Sequence, residues 1–114
     1  MPREFISEIT VLPDGMRNDD PELRHFALYV RWMGARQGNG MGGYAVTTLF
    51  REQQLSRAGN WNDNVRPFQR RLYRWETPGE ALNMAKRVVN DLKVNGRTFA
   101  EVKELRLQRE DQPA

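Results

Sequence analysis

The chain has 114 residues, of which 39% are hydrophobic, so it can form one core but not two domains, because single cores typically serve about 100 to 200 residues. It contains no cysteine and a single histidine, His25, which excludes disulfides, thiol nucleophiles and thiolate or histidine-rich metal sites. The formal net charge is +3, and no apolar run reaches the roughly 18 residues of a membrane span. We therefore expect a basic cytoplasmic protein with no membrane segment.

Four segments have the properties of strands. Residues 4–12 are rich in β-branched side chains and precede a Pro-Asp-Gly turn, which predicts a first strand. Residues 24–32 and 44–52 place apolar side chains at every second position, which predicts two strands paired as a hairpin. Residues 68–76 predict a weaker strand at an edge of the sheet, because neither alternate set is uniformly apolar. The apolar rows of the hairpin are Phe26, Leu28, Val30 and Trp32, and Tyr44, Val46 and Phe50.

One amphipathic helix is predicted over residues 78–94. Thr77 offers a capping hydroxyl, and Glu80, three residues later, completes a capping box. Apolar side chains then recur at steps of three and four, and Gly96 supplies the left-handed stop. A helix of about 17 residues is about 25 Å long, which matches a strand of seven or eight residues. We expect this helix to lie across the apolar face of the hairpin.

Residues 98–108 admit two interpretations. Thr98 and Glu101 form a second capping-box pattern, which favours a helix. Residues 104–108 alternate between polar and apolar side chains, which favours a strand. We expect the strand, closing the sheet from about Val102.

The sequence thus predicts an α+β fold with a four- to five-stranded, mainly antiparallel sheet and one amphipathic helix on one face. The single domain would span residues 1–109, followed by a frayed tail at residues 110–114. Tyr29, Met33 and Leu49 would lie on the other face, which stays exposed unless a partner covers it. We predict a partner interface there, suited to an acidic or apolar protein surface or to a second copy of the chain.

A glycine-rich segment at residues 34–43 joins the two strands of the hairpin. Glycines allow backbone N–H groups to approach a phosphate closely. However, phosphate-binding fingerprints require a helix after the loop, whereas here a strand follows. A plain hairpin loop is the favoured interpretation, and Arg36 is the natural contact if the loop binds an anion.

The sequence Arg31-Trp32-Met33-Gly34-Ala35-Arg36 resembles the Trp-Gly-Arg signature of WGR domains, small sheet-plus-helix modules of DNA-damage enzymes. In this chain Met33 separates the tryptophan from the glycine, and Ala35 separates the glycine from the arginine. The resemblance covers this hairpin and, loosely, the helix that follows. It implies nucleic-acid binding.

Positive charge is concentrated in residues 66–75, which contain four arginines and no acidic residue. Guanidinium groups neutralise phosphates, and aromatic rings stack on unpaired bases. The nucleic-acid contacts predicted from this pattern are Arg66, Arg70, Arg71, Arg74 and Tyr73, joined by Arg36 from the glycine-rich segment. The alternative is an edge strand whose arginines are solvated and prevent aggregation while the aromatic rings pack in the core.

No catalytic residue, metal site or cofactor is predicted. His25 lies near several acidic residues, but no serine or threonine stands out as its nucleophile. The acids Asp14, Asp19, Asp20 and Glu22 do not have the spacing of a calcium loop. We therefore expect a non-enzymatic binding module that contacts nucleic acid mainly through phosphates. The alternatives are a protein-interaction module, acting as an accessory or inhibitory factor, and a self-assembling structural protein.

Overall fold

The computed structural model describes residues 2, 4–34, 43–48 and 53–111. Within these ranges the chain forms five β-strands, three α-helices and two 3-10 segments. In chain order they are β1 (Glu8–Val11), α1 (Leu23–Phe26), β2 (Leu28–Trp32), β3 (Tyr44–Thr48), β4 (Gln54–Leu55), β5 (Trp61–Asn62), a 3-10 helix (Pro67–Tyr73), α2 (Pro78–Val88), a 3-10 turn (Val89–Asp91) and α3 (Phe99–Asp111).

The five strands form one antiparallel sheet in the order β1-β2-β3-β4-β5. Val30 of β2 pairs with Ile9 of β1 on one side and with Val46 of β3 on the other. This arrangement confirms the α+β class, the antiparallel sheet and the hairpin formed by the two most regular strands. The prediction of a single helix is not confirmed, because the described residues form three α-helices. Phe50 lies outside the described residues.

Helix α2 covers one face of the sheet. Small side chains on the helix, Ala81 and Ala85, are fully buried against Leu28, Val30 and Val46 of the central strands. Burying each large aliphatic side chain stabilises the fold by roughly 1.5 to 3 kcal/mol. The prediction that the two apolar rows face this helix is confirmed for Leu28, Val30, Tyr44 and Val46. It is wrong for Phe26, which packs against Phe99, and for Trp32, which is 41% exposed.

The start of α2 follows the sequence signals, and its end does not. Thr77 Oγ1 accepts a hydrogen bond from the Glu80 N–H at 3.2 Å, as a helix cap requires. The α-helix ends at Val88 rather than at residue 94, and the chain continues as a 3-10 turn. Such turns commonly tighten the last turn of a helix.

The strand predicted at residues 24–32 begins only at Leu28. The preceding residues form the short helix α1, in which the Ala27 N–H donates to the Leu23 carbonyl at 3.1 Å. Phe26 consequently packs against Phe99, with ring centroids 5.8 Å apart. The first strand is also shorter than residues 4–12, because only Glu8–Val11 pair with β2.

The closing strand predicted from Val102 is wrong, since this segment is helix α3. The Glu101 N–H donates to Thr98 Oγ1 at 3.3 Å, and the Thr98 N–H donates to Glu101 Oε1 at 3.2 Å, so the capping box forms. Phe99, Val102 and Leu105 follow at steps of three and are buried or half-buried. Leu107 is 52% exposed, so the alternation at residues 104–108 does not reflect a strand. The helix continues through Asp111, past the predicted domain end at residue 109.

Candidate nucleic-acid interface

The arginine-rich segment is a 3-10 helix, Pro67–Tyr73, and the edge strand predicted at residues 68–76 is wrong. Proline at the first position has a backbone dihedral already suited to a helical turn. The Gln69 N–H donates to the Arg66 carbonyl at 2.8 Å, and the Arg66 N–H donates to Gln69 Oε1 at 3.1 Å. These reciprocal hydrogen bonds fix the start of the helix.

The end of the 3-10 helix packs on the sheet face opposite α2. Gln54 and Asn62 are register partners on β4 and β5, and their neighbours along each strand face the core beneath α2. Because side chains alternate along a strand, Gln54 and Asn62 lie on the other face. Gln54 Oε1 accepts a hydrogen bond from Arg74 Nη1 at 2.5 Å, and Asn62 Nδ2 donates to the Tyr73 hydroxyl at 3.2 Å. The 3-10 helix is thereby attached to this second face.

A glycine at the start of β3 allows this attachment. Trp75 and Tyr44 form a two-way backbone bridge, with N–O distances of 2.8 and 2.9 Å. Gly43 has a positive φ of 136°, and a Cβ there would lie 2.8 Å from the Trp75 carbonyl oxygen. A side chain at this position would clash with the bridge, so glycine keeps the segment after the 3-10 helix against the sheet.

The expectation that the second sheet face is exposed is wrong at Tyr29. Tyr29 is only 8% exposed. The Arg31 guanidinium lies 4.9 Å from the centre of its ring, and Glu8 Oε2 lies 3.0 Å from Arg31 Nε. Of the predicted partner interface, Met33 is at the surface, with 36% exposure, and Leu49 lies outside the described residues.

Two of the predicted nucleic-acid contacts are buried instead. Arg74 and Tyr73 are each 7% exposed. Arg74 Nη1 also donates to the Tyr73 carbonyl at 3.0 Å, in addition to its bond to Gln54. Trp75 pairs with β3, and its side chain packs against the core on the α2 side of the sheet. Because side chains alternate along an extended chain, the side chain of Arg74 lies on the opposite face of the sheet. These two side chains hold the segment in place and do not contribute to its outer surface.

The other arginines of the segment remain at the surface. Arg66 and Arg71 are exposed and Arg70 is half-buried, whereas Arg36 lies outside the described residues. Among the residues that the structure describes, none of these three surface arginines lies within 4 Å of a carboxylate oxygen. Their charge is available to an external ligand.

A fourth surface arginine, Arg57, lies in the turn between β4 and β5 and is not among the contacts predicted from the sequence. Its N–H donates to the Leu72 carbonyl at 2.8 Å, and its Nε donates to the Arg74 carbonyl at 2.7 Å. The side chain is exposed and has no ion pair within the described part of the chain. Only the tertiary fold brings it to the end of the 3-10 helix, so no local sequence signal could have found it. We call the set of Arg57, Arg66, Arg70 and Arg71 the basic surface.

Two apolar side chains of the same helix are exposed beside the basic surface. Phe68 is 78% exposed and Leu72 is 58% exposed. A 3-10 helix has three residues per turn, so Phe68 and Arg71 share one side of it. Tyr73 shares a side with Arg70, which explains why Arg70 is half-buried. The outer side of the helix therefore presents an aromatic ring together with the Arg71 guanidinium.

Two of the four acidic residues considered as a cation site, Asp20 and Glu22, are used in packing. Arg106 of α3 pairs with Glu22 and lies 3.9 Å from Asp20, so these acids attach α3 to the loop after β1. Across the described ranges, no group of three or more histidine, aspartate or glutamate side chains is arranged to hold a metal ion. In the same part of the chain, no helix has the length and apolar character needed to cross a membrane.

Comparisons with protein-family models, curated proteins and solved structures found no match to this chain. The resemblance to WGR domains therefore gains no support from a relative. Of the residues that carry it, Ala35 and Arg36 lie outside the described ranges. Trp32 is 41% exposed and contacts the rings of Phe5 and Tyr44, with centroid distances of 5.7 and 5.2 Å. In this fold it packs against the N-terminal segment.

Proposed function

We propose that the protein is a non-enzymatic binding module that contacts nucleic acid, mainly its phosphates, through the basic surface. One observation carries the proposal: Arg70 and Arg71 lie on the 3-10 helix, Arg66 directly precedes it, and Arg57 is hydrogen-bonded to the backbone at its end. No carboxylate of the described residues neutralises any of the four. Guanidinium groups with free N–H donors bind phosphate through paired, charge-assisted hydrogen bonds.

The size and rigidity of the basic surface suit a short stretch of phosphates. Seven residues of 3-10 helix span about 14 Å, which is about four nucleotides at the 3.4 Å rise of one strand of B-DNA. The helix is fixed at its start by Gln69 and at its end by the buried side chains of Tyr73 and Arg74. A surface already held in place loses little conformational entropy when it binds.

Charge reversal on the basic surface tests the proposal. At about 50 mM salt, each phosphate contact contributes roughly tenfold to affinity through counterion release. Arg71→Glu should therefore weaken binding to a fluorescent oligonucleotide by about tenfold or more, measured by fluorescence anisotropy. Arg17→Glu makes the same change of charge in the loop after β1, where the side chain is exposed, and serves as the matched control.

The control separates a site from the general effect of net charge. Under the proposal, Arg17→Glu changes the affinity by less than about twofold, because Arg17 is not part of the basic surface and salt screens exposed charges that do not contact the ligand. Equal losses in the two variants would mean that only net charge matters, and the basic surface would then not be the site. Unchanged binding in Arg71→Glu would contradict the proposal directly.

A protein-interaction module is the second candidate function. It is favoured by a group of exposed apolar side chains at one end of the sheet, outside the basic surface: Phe5, Ile6, Trp32 and Met33. Exposed apolar patches of this kind commonly mark protein contacts. Loss of binding to a protein partner on changing Met33, with no response to Arg71→Glu, would favour this function over the first.

A further inference from the structure

We infer that the ligand of the basic surface is single-stranded nucleic acid and that the Phe68 ring stacks on an unpaired base. This inference rests on the proposed function and adds the class of nucleic acid and the residue that selects it. The proposed function alone needs only phosphates, which single strands and duplexes both carry.

The exposure of Phe68 is the first support. The ring is 78% exposed, so it contributes little to the core, although it belongs to a helix fixed at both ends. It shares the outer side of the 3-10 helix with Arg71 and follows Arg66 by two positions. When either guanidinium binds the phosphate of a nucleotide, the Phe68 ring is therefore close along the chain and can stack on a base.

The chemistry of the ligand supports single strands over duplexes. In a duplex the bases stack on one another, and a surface that contacts the backbone meets only sugar and phosphate. In a single strand the base faces are open, and proteins bind them by combining a cationic track with aromatic stacking. A basic surface with an exposed ring matches the second arrangement.

The same features argue against a protein as the occupant of this surface. A stable protein interface buries about 800 Å² on each partner. Phe68 and Leu72 are the two large apolar side chains exposed on the described 3-10 helix, and the charged side chains beside them are arginines. A single strand of nucleic acid, with its phosphates and open base faces, complements this surface better than an apolar protein face does.

The test compares three ligands of the same length, about 12 nucleotides, which is within the usual site size for a small single-strand binder. They are oligothymidine, an abasic strand that keeps the phosphates but has no bases, and a duplex. The wild-type protein should bind oligothymidine about 5- to 150-fold more tightly than the abasic strand. This range is the loss of affinity that is typical when one base–aromatic stacking contact is removed. It should also bind oligothymidine more tightly than the duplex.

Substitutions of Phe68 then identify the stacking residue. Phe68→Leu keeps an apolar side chain but removes the aromatic face, and it should abolish the preference for oligothymidine over the abasic strand. Phe68→Trp keeps an aromatic face and should retain that preference. Leu107→Ala, an exposed apolar change on α3, is the matched control and should have no effect. Both variants at Phe68 should fold, because the ring is mostly in water.

The outcomes separate the inference from the proposed function. Equal binding to oligothymidine and the abasic strand, both weakened by Arg71→Glu, would overturn the stacking inference and leave the proposed function standing. Tighter binding to the duplex, or an unchanged preference in Phe68→Leu, would overturn the inference as well. No binding to any of the three ligands would remove both, and binding to an acidic protein instead would favour the second candidate function.

Discussion

Arg71 and Arg74 lie three positions apart and have different roles. Arg71 projects from the outer side of the 3-10 helix, whereas Arg74 is 7% exposed and hydrogen-bonded to Gln54 on the sheet. In the sequence, all four arginines of residues 66–75 have the same apparent role, because they share one charge-rich run. Distinguishing them requires knowing that the chain is helical up to Tyr73 and extended after it. The positive charge of residues 66–75 is visible in the sequence. Which of the four arginines are exposed and which one is buried is not.

This division predicts that the two arginines contribute very differently to stability. Arg74→Ala should lower the free energy of unfolding by about 2 to 4 kcal/mol, because it removes buried packing and charge-assisted hydrogen bonds. Arg71→Ala should change it by less than about 0.5 kcal/mol, as surface substitutions usually do. Urea denaturation followed by tryptophan fluorescence measures both values. A loss below about 0.5 kcal/mol in Arg74→Ala would show that Arg74 is not a structural residue.

At the scale of elements, helices and strands are predictable where the repeat of apolar side chains is long and regular. The β2–β3 hairpin and the start of α2 were predicted, because apolar side chains repeat there over several turns or pairs. The 3-10 helix was missed, since a period of three over seven residues fits neither a strand nor an α-helix. In α3 the alternation of five residues favours a strand and the capping box of Thr98 favours a helix, and the capping box is the better guide.

The capping box of α3 predicts a pH dependence. Hydrogen bonds from the Thr98 backbone N–H and hydroxyl, with the nearby charges of Lys93 and Arg97, hold the pKa of Glu101 below its ordinary value of 4.5. A lowered folded-state pKa stabilises the fold above the ordinary pKa, and this contribution is lost as the pH falls through the folded-state pKa. The start of α3 should therefore be less stable in acid.

Substitution of Thr98 tests this assignment. Thr98→Ala should raise the pKa of Glu101 part of the way toward its ordinary value, since the backbone hydrogen bond remains while the hydroxyl is lost. Thr98→Ser keeps the hydroxyl and should keep the pKa low. Carbon-detected NMR titration of the Glu101 carboxyl group measures the shift. An identical pKa in wild type and Thr98→Ala would show that the hydroxyl has no part in it.

At the scale of the whole molecule, the antiparallel sheet separates two surfaces with different roles. One face is closed by α2 and forms the core, and the other receives the end of the 3-10 helix. The α+β class followed from hairpin pairing and helix patterning, which are local. The basic surface was only partly predictable, because Arg57 reaches it through the fold, from the turn between β4 and β5. The site therefore depends on the sheet being formed.

The salt dependence of binding tests the central claim most directly. If all four arginines of the basic surface contact phosphates of a single strand, the logarithm of the affinity should fall against the logarithm of the salt concentration with a slope of about −2.8. Raising salt from about 50 to about 200 mM would then weaken binding about 50-fold. An affinity for oligothymidine that does not change over this range would contradict the account, because phosphates would not be what the arginines bind.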